Sequence, residues 1–247
     1  MNLLLLESKQ ETYEFPPEHP NTDRIRRLST TEICVGVVNG PRGIGTFHEE
    51  SDGTVRIRDM RWEATIHPAS ELDLIVGLPR PSDAKRILFH TATIGVRSVG
   101  FVVLDRTPEG YAESRAMAPE SVAEVFCQGL EQGFRTALPH YRLFNGLDEV
   151  LGSFENGREV VVLDPYLATG GFCGVEGKLP AALTLVMGSE RGFSPKEQET
   201  IRGGEYRVRH LGPSILRSET AVIAALAIAY KSSGYWDSSE RSVIKSA

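Results

Sequence analysis

The chain has 247 residues, 40% hydrophobic and 24% charged, with a formal net charge of −6. That composition is globular and excludes a disordered chain, a collagen-like fibre and a disulfide miniprotein, and no apolar run reaches the roughly 18–20 residues of a membrane span. Cys34, Cys127 and Cys173 are too few and too scattered for a disulfide framework. The histidines show no metal-ligand spacing, and the start MNLLLLESKQ lacks the basic region and cleavage site of a signal peptide. A cytoplasmic protein with no metal and no membrane association is therefore expected. The negative charge argues against bulk nucleic-acid binding but leaves room for a local basic face.

The first 69 residues carry short β-type runs, ICVGVVNG, GIGTFH and TVRIR, separated by the turn signals Asn39-Gly40-Pro41 and Asp52-Gly53. They predict a small β-rich domain, a compact barrel. The apolar run LDLIVGLP (72–79) then suits a strand buried on both faces of a parallel sheet. From 70 to 233, strands and helices alternate. A helix is expected over Ser82–Gly95 with Ser82 as N-cap, a strand over Val99–Leu104 and a helix over Pro119–Thr136. Further strands follow at Arg158–Leu163 and Ala182–Met187, and Ser194-Pro195-Lys196-Glu197 carries the capping-box pattern that opens a helix. A last strand (Tyr206–Leu211) and an alanine-rich helix (Glu219–Lys231) precede a polar tail, 234–247, expected to be mobile. This alternation predicts an α/β domain with a mainly parallel sheet.

In open α/β sheets ligands bind beyond the carboxyl ends of the strands, and three of those ends are distinctive here: Asp164-Pro165, then GSERGF (188–193), then LGPSILRSETA (211–221). The glycine-rich turn at 188–192 lacks the lysine and hydroxyl residue of a P-loop and the spacing of a dinucleotide fingerprint. Glu219 and Thr220 also suit plain capping of the last helix.

The segments MGSERGFSPKE and LGPSILRSETA, with LEQGFRTALP (130–139), resemble the motifs of the RsmE family. These are SPOUT-class methyltransferases that use S-adenosylmethionine to methylate N3 of a uridine in small-subunit (16S) ribosomal RNA. The likeness spans nearly the whole chain. It implies a PUA-like RNA-binding barrel over 1–69, a SPOUT methyltransferase domain with a trefoil knot over 70–233, and a homodimer whose substrate is ribosomal RNA or the assembled small subunit. By the same resemblance, Leu163, Gly188, Glu190, Gly192, Leu211, Gly212, Ile215, Leu216 and Ala221 line the S-adenosyl-L-methionine pocket.

Uracil N3 is protonated at neutral pH, so methylation needs a base, or cations that stabilise charge developing on the ring. Arg135 and Arg217 are the candidates for orienting the uridine or its phosphate. Glu190 is a candidate base or loop anchor, and Glu219 is better suited to holding a loop. Arg24, Arg26 and Arg27, with Arg56, Arg58 and Arg61, are the expected RNA face, although a solvated sheet surface explains them as well. Arg106 falls where the family has E-R-S and joins the RNA-binding set.

The chain also departs from the family pattern. Gly-Pro-Glu-Gly-Gly is replaced by Gly188-Ser189-Glu190-Arg191-Gly192, the arginine of L-G-P-R by Ser214, and the lysine and glutamate of K-A-T-E by His90 and Thr93. If position 191 required φ > 0, an arginine there would cost about 1 kcal/mol or more. These changes keep open a divergent SPOUT enzyme acting on another RNA and a catalytically inactive RNA-binding relative.

Overall fold

The computed structural model describes residues 3–27, 31–64, 69–172 and 179–237. Two sheets account for the fold. The first contains β1 (Leu4–Leu6), β2 (Tyr13–Phe15), β3 (Glu32–Val37), β4 (Arg42–Glu49) and β5 (Val55–Trp62), in the order β1-β3-β4-β5-β2. One helix, α1 (Pro20–Arg27), accompanies it. Leu4, Phe15, Ile25, Val35 and Ile57 close its core. Asn39 (φ +56°) and Gly53 (φ +85°) occupy the two expected turns, where the left-handed backbone favours Asn and Gly. A bulge opposite Gly45 puts Asp59 at φ +54° and separates the register of Arg56 and Arg58 from that of Arg61.

The second sheet is wholly parallel, with β6 (Leu72–Gly77), β7 (Ser98–Val102), β8 (His140–Phe144), β9 (Glu159–Leu163), β10 (Leu183–Met187) and β11 (Arg207–Arg209) in the order β11-β9-β10-β6-β7-β8. Its central strands are buried throughout, as their continuous apolar runs require. Leu74, Phe101, Val161 and Leu185 face α2 (Pro81–Ile94), α3 (Pro119–Gly133) and α6 (Ser218–Ser233). Ile75, Val102, Val162 and Val186 alternate with them and face α4 (Leu147–Gly152) and α5 (Pro195–Gly203). The order of connection reverses between β8 and β9, which lie on opposite sides of β6.

Several expectations shift. The N-cap of α2 is Arg80, not Ser82, because Pro81 takes the first helical position. The capping box at Ser194 and Glu197 forms as predicted. The three-residue β1 and β2, α1, β8 and α4 had no counterpart among the predicted elements. Of the tail expected to be mobile, 234–237 lie against the end of α6: the Tyr235 ring is 4.7 Å from that of Tyr230 and Lys231 bonds Asp237, while Trp236 is exposed. Residues 238–247 and Cys173 lie outside the described residues.

The two sheets meet at the C-terminal end of α3. Leu3 N–H donates to the Glu131 carbonyl at 3.0 Å, Asn39 N–H to the Thr136 carbonyl at 2.7 Å, and Arg42 Nη1 to the Phe134 carbonyl at 2.9 Å. Arg24 adds an ion pair with Glu131 at 2.8 Å. Gly36 permits the approach, since a Cβ there would meet Thr136 and Leu3 at 2.7 and 2.8 Å.

Candidate functional site

The loops after β9, β10 and β11 converge at the carboxyl edge of the parallel sheet, at the point where strand order reverses, where an open α/β sheet is expected to bind its ligand. They enclose a cavity of about 640 Å³. Leu163, Gly188, Glu190, Gly192, Leu211, Gly212, Ile215, Leu216 and Ala221 all line it, together with Arg217. Asp164, at one of the distinctive strand ends, lines it too, as do Val76, Tyr166, Met187 and His210, which the expected pocket lining did not include. Their positions at or just beyond strand ends were the available signal.

Each loop is held by its own chemistry. Asp164, 2% exposed, accepts hydrogen bonds from the Tyr166 and Leu167 amides, both at 2.8 Å, and so closes the turn after β9. In the second loop the Gly192 amide donates to the Ser189 carbonyl at 2.9 Å, while Ser189 Oγ accepts from the Arg191 amide at 3.3 Å. A serine hydroxyl thus secures the turn that proline makes in the RsmE pattern. The left-handed residue is Gly192 (φ +66°) and Arg191 carries no positive φ, so the strain considered for an arginine at 191 does not arise. In the third loop His210 Nδ1 accepts from the Gly212 amide at 3.1 Å and Gly212 has φ +117°. His210 therefore braces the turn that begins the third loop.

The strand beneath is cut to fit. A Cβ on Gly77 would lie 2.3 Å from the Ser189 amide nitrogen, so only glycine lets the second loop rest on the end of β6. The turn after β7 braces the same loop: Ser194 Oγ donates to Asp105 at 2.6 Å, the Asp105 amide to Glu197 at 2.9 Å, and Arg106 Nη1 to the Arg191 carbonyl at 2.9 Å.

The acidic groups around the cavity are engaged. Glu190 pairs with Arg80 at 3.7 Å and also accepts from the Arg80 amide. Both partners are largely exposed, so this pair is worth well under about 1 kcal/mol. Glu219 contacts Arg86 at 3.6 Å, tying α6 to α2. Arg217, exposed at the start of α6, has no carboxylate partner among the described residues.

Arg135 is not brought to this cavity. It lies against Gly95 and donates to Tyr235 Oη at 3.3 Å. The reason is topological: α3 runs antiparallel to the strands, so the residues that follow it reach the amino edge of the sheet, whereas Arg217 stands at the carboxyl edge. Within one chain Arg135 and Arg217 cannot converge. The expected RNA-face arginines are largely spent on neighbouring acids: Arg26 on Glu49, Arg56 on Glu14 and Glu50, Arg58 on Glu50, Arg61 on Glu32. Arg27 is exposed at the end of α1.

Comparison with known proteins agrees with this geometry. Ribosomal RNA small subunit methyltransferase E from Treponema pallidum is 24% identical over 221 residues, 86% of this chain and 82% of that protein. Ribosomal RNA small subunit methyltransferase E 1 from Borreliella burgdorferi is 28% identical over 156 residues, 63% of this chain and 65% of its own length. The crystal structure of ribosomal RNA small subunit methyltransferase E from Neisseria gonorrhoeae, bound to S-adenosyl methionine, shares the fold with a TM-score of 0.74 at 18% identity, covering 94% of this chain and 97% of that one. The RNA methyltransferase domain family matches residues 66–230, more than half of the sequence, and the chain belongs to that family, as a protein of the RsmE type.

Proposed function

We propose that the chain is an S-adenosylmethionine-dependent methyltransferase acting on N3 of a uridine in small-subunit ribosomal RNA. The observation that carries the reading is the convergence of the three motif-bearing loops on one cavity at the carboxyl edge of the sheet. The cavity fits the cofactor. Its volume lies in the range that encloses a small ligand, its lining mixes apolar Leu163, Met187 and Leu216 with both charge signs, and Gly192 and Gly212, where a Cβ would stand in open space, let a ligand approach the loop backbone. The bound cofactor supplies an electrophilic methyl group.

The residues of this chain would act on the nucleobase. Arg217, which lines the cavity and has no carboxylate partner among the described residues, would stabilise negative charge on the uracil oxygens as N3 gives up its proton. Glu190, which lines the cavity and is held by Arg80 through one long ion pair and one amide, is the carboxylate that would accept that proton. Gly171 pairs with His210, and the Leu179 amide, ahead of β10, donates to the Ser232 carbonyl at the end of α6, two contacts that support a trefoil knot. Tyr166 (75% exposed), Ile215 (71%) and Ile223 (38%) leave apolar surface beside the cavity, which suits a second copy of the chain and hence a homodimer. The first sheet then serves as a PUA-like RNA-binding unit. Arg217→Ala should lower methyl transfer to small subunits about 100-fold while S-adenosylmethionine affinity changes little. An unchanged transfer rate removes Arg217 from the account.

A further inference from the structure

We propose that Arg191 and Arg106 form a phosphate-binding pair at the rim of the cavity, placed for the backbone of the RNA next to the nucleotide that enters it. The proposal rests on the reading of the chain as an RNA methyltransferase and names a contact that reading leaves open. Arg106 Nη1 donates to the Arg191 main-chain carbonyl at 2.9 Å, so the Arg106 guanidinium is held against the loop that carries Arg191. Both are exposed, and Arg191 lines the cavity. Neither has a carboxylate within ion-pair distance among the described residues. The acids beside them in sequence are turned to other partners, Glu190 to Arg80 and Asp105 to the Ser194 hydroxyl.

The first sheet differs. There the cations expected to meet RNA are balanced by Glu14, Glu49 and Glu50, so bringing a phosphate to them means breaking existing pairs. At the cavity rim two exposed arginines on adjoining loops have no carboxylate partner among the described residues, so an anion arriving there breaks no existing pair. The planar guanidinium fork takes two phosphate oxygens at once. Position 191 is glycine in the RsmE pattern, so this contact is the chain's own. The backbone at 191 is already fixed by Ser189 and Gly192, so the side chain is free to reach outward at no cost to the loop.

The test is equilibrium binding of unmodified 16S ribosomal RNA across a salt series for the wild type, Arg191→Ala, Arg191→Glu and Arg191→Lys, with S-adenosylmethionine affinity measured calorimetrically on each. Loss of one phosphate contact should reduce the slope of log K against log salt by about 0.7–0.9 in Arg191→Ala. Affinity near physiological salt should fall about three- to tenfold. Arg191→Glu should fall further, Arg191→Lys should keep the wild-type slope, and cofactor affinity should stay within about twofold of wild type in all of them. An unchanged slope in both Arg191→Ala and Arg191→Glu overturns the proposal. So does a loss of cofactor affinity with the salt slope intact, which would assign Arg191 to the cofactor cradle. Methyl transfer by the wild type to small subunits, run in parallel, separates the two claims. Transfer with an Arg191-independent slope sinks the pair alone, and an Arg191-dependent slope without transfer keeps the pair and sinks the methyl-transfer reading.

Discussion

Gly77→Ala probes how the fold shapes the cofactor loop. The residue ends β6, and an alanine Cβ there would stand 2.3 Å from the Ser189 amide nitrogen, 2.8 Å from the Gly188 carbonyl carbon and 2.7 Å from Leu104 Cδ1. Leu104 can turn aside, but the backbone of the loop cannot. To reach ordinary contact it must retreat by about 1 Å, a misplacement large enough to cost up to about 100-fold where geometry matters. Overpacking of this kind costs about 1–3 kcal/mol, offset by about 0.4–1 kcal/mol because alanine restricts the unfolded chain more than glycine does. The net destabilisation is therefore about 1–2 kcal/mol. If even 1.4 kcal/mol of it falls on the loop, S-adenosylmethionine affinity drops about tenfold. Titration calorimetry reads the affinity and urea unfolding reads the stability. Gly152→Ala, at the end of α4 where an added Cβ meets nothing, is the control and should be neutral. Wild-type affinity and stability in Gly77→Ala would refute the claim that this contact positions the loop.

Two other perturbations test the frame. Asp73 joins Arg97 and Arg158 at the amino edge of the sheet, with Arg158 side-chain exposure at 6% and Asp73 at 10%. Asp73→Ala leaves that guanidinium buried without its main partner and should cost about 3–5 kcal/mol in urea unfolding; a loss below about 1 kcal/mol contradicts the assignment. Tyr230 is buried with its hydroxyl 2.7 Å from Ser70 Oγ, and burial pushes its phenol above the ordinary value of 10.0, while Tyr141 is pushed up to about 12. Their neutral forms are favoured in the folded state. The stability they contribute is complete below pH 10 and is lost as pH rises through their folded-state values. Tyr230→Phe should cost about 0.5–1.5 kcal/mol at neutral pH through the lost hydrogen bond, yet weaken the alkaline fall in Tm. An alkaline fall as steep as wild type removes Tyr230 from that account.

What could be read in advance followed from how locally each feature is encoded. Continuous apolar runs announced β6, β9 and β10 because a parallel strand buries both faces, and the Ser194–Glu197 box fixed the start of α5 by a contact three residues long. The loop residues that line the cavity came from the resemblance of 188–193 and 211–221 to the RsmE motifs, which follow β10 and β11. β8 was missed because HYRLF, an edge strand with alternating exposure, lacks an apolar run. The three-residue β1 and β2 are too short to show a period. Arg135 was drawn toward the site by its motif, when the direction of α3 carries it to the opposite edge. The basic stripes at 24–27 and 56–61 looked cationic because the balancing acids, Glu14, Glu49 and Glu50, come from other elements or the far side of a turn. Pairing between elements is invisible in a run of letters.

The central claim is met most directly by incubating the protein with methyl-labelled S-adenosylmethionine and small ribosomal subunits from cells that lack the modification, then digesting the RNA and identifying the labelled nucleotide. The account predicts label on N3 of a uridine, lost in Arg217→Ala. Label on another nucleotide, or none from a folded protein that binds the cofactor, would contradict it.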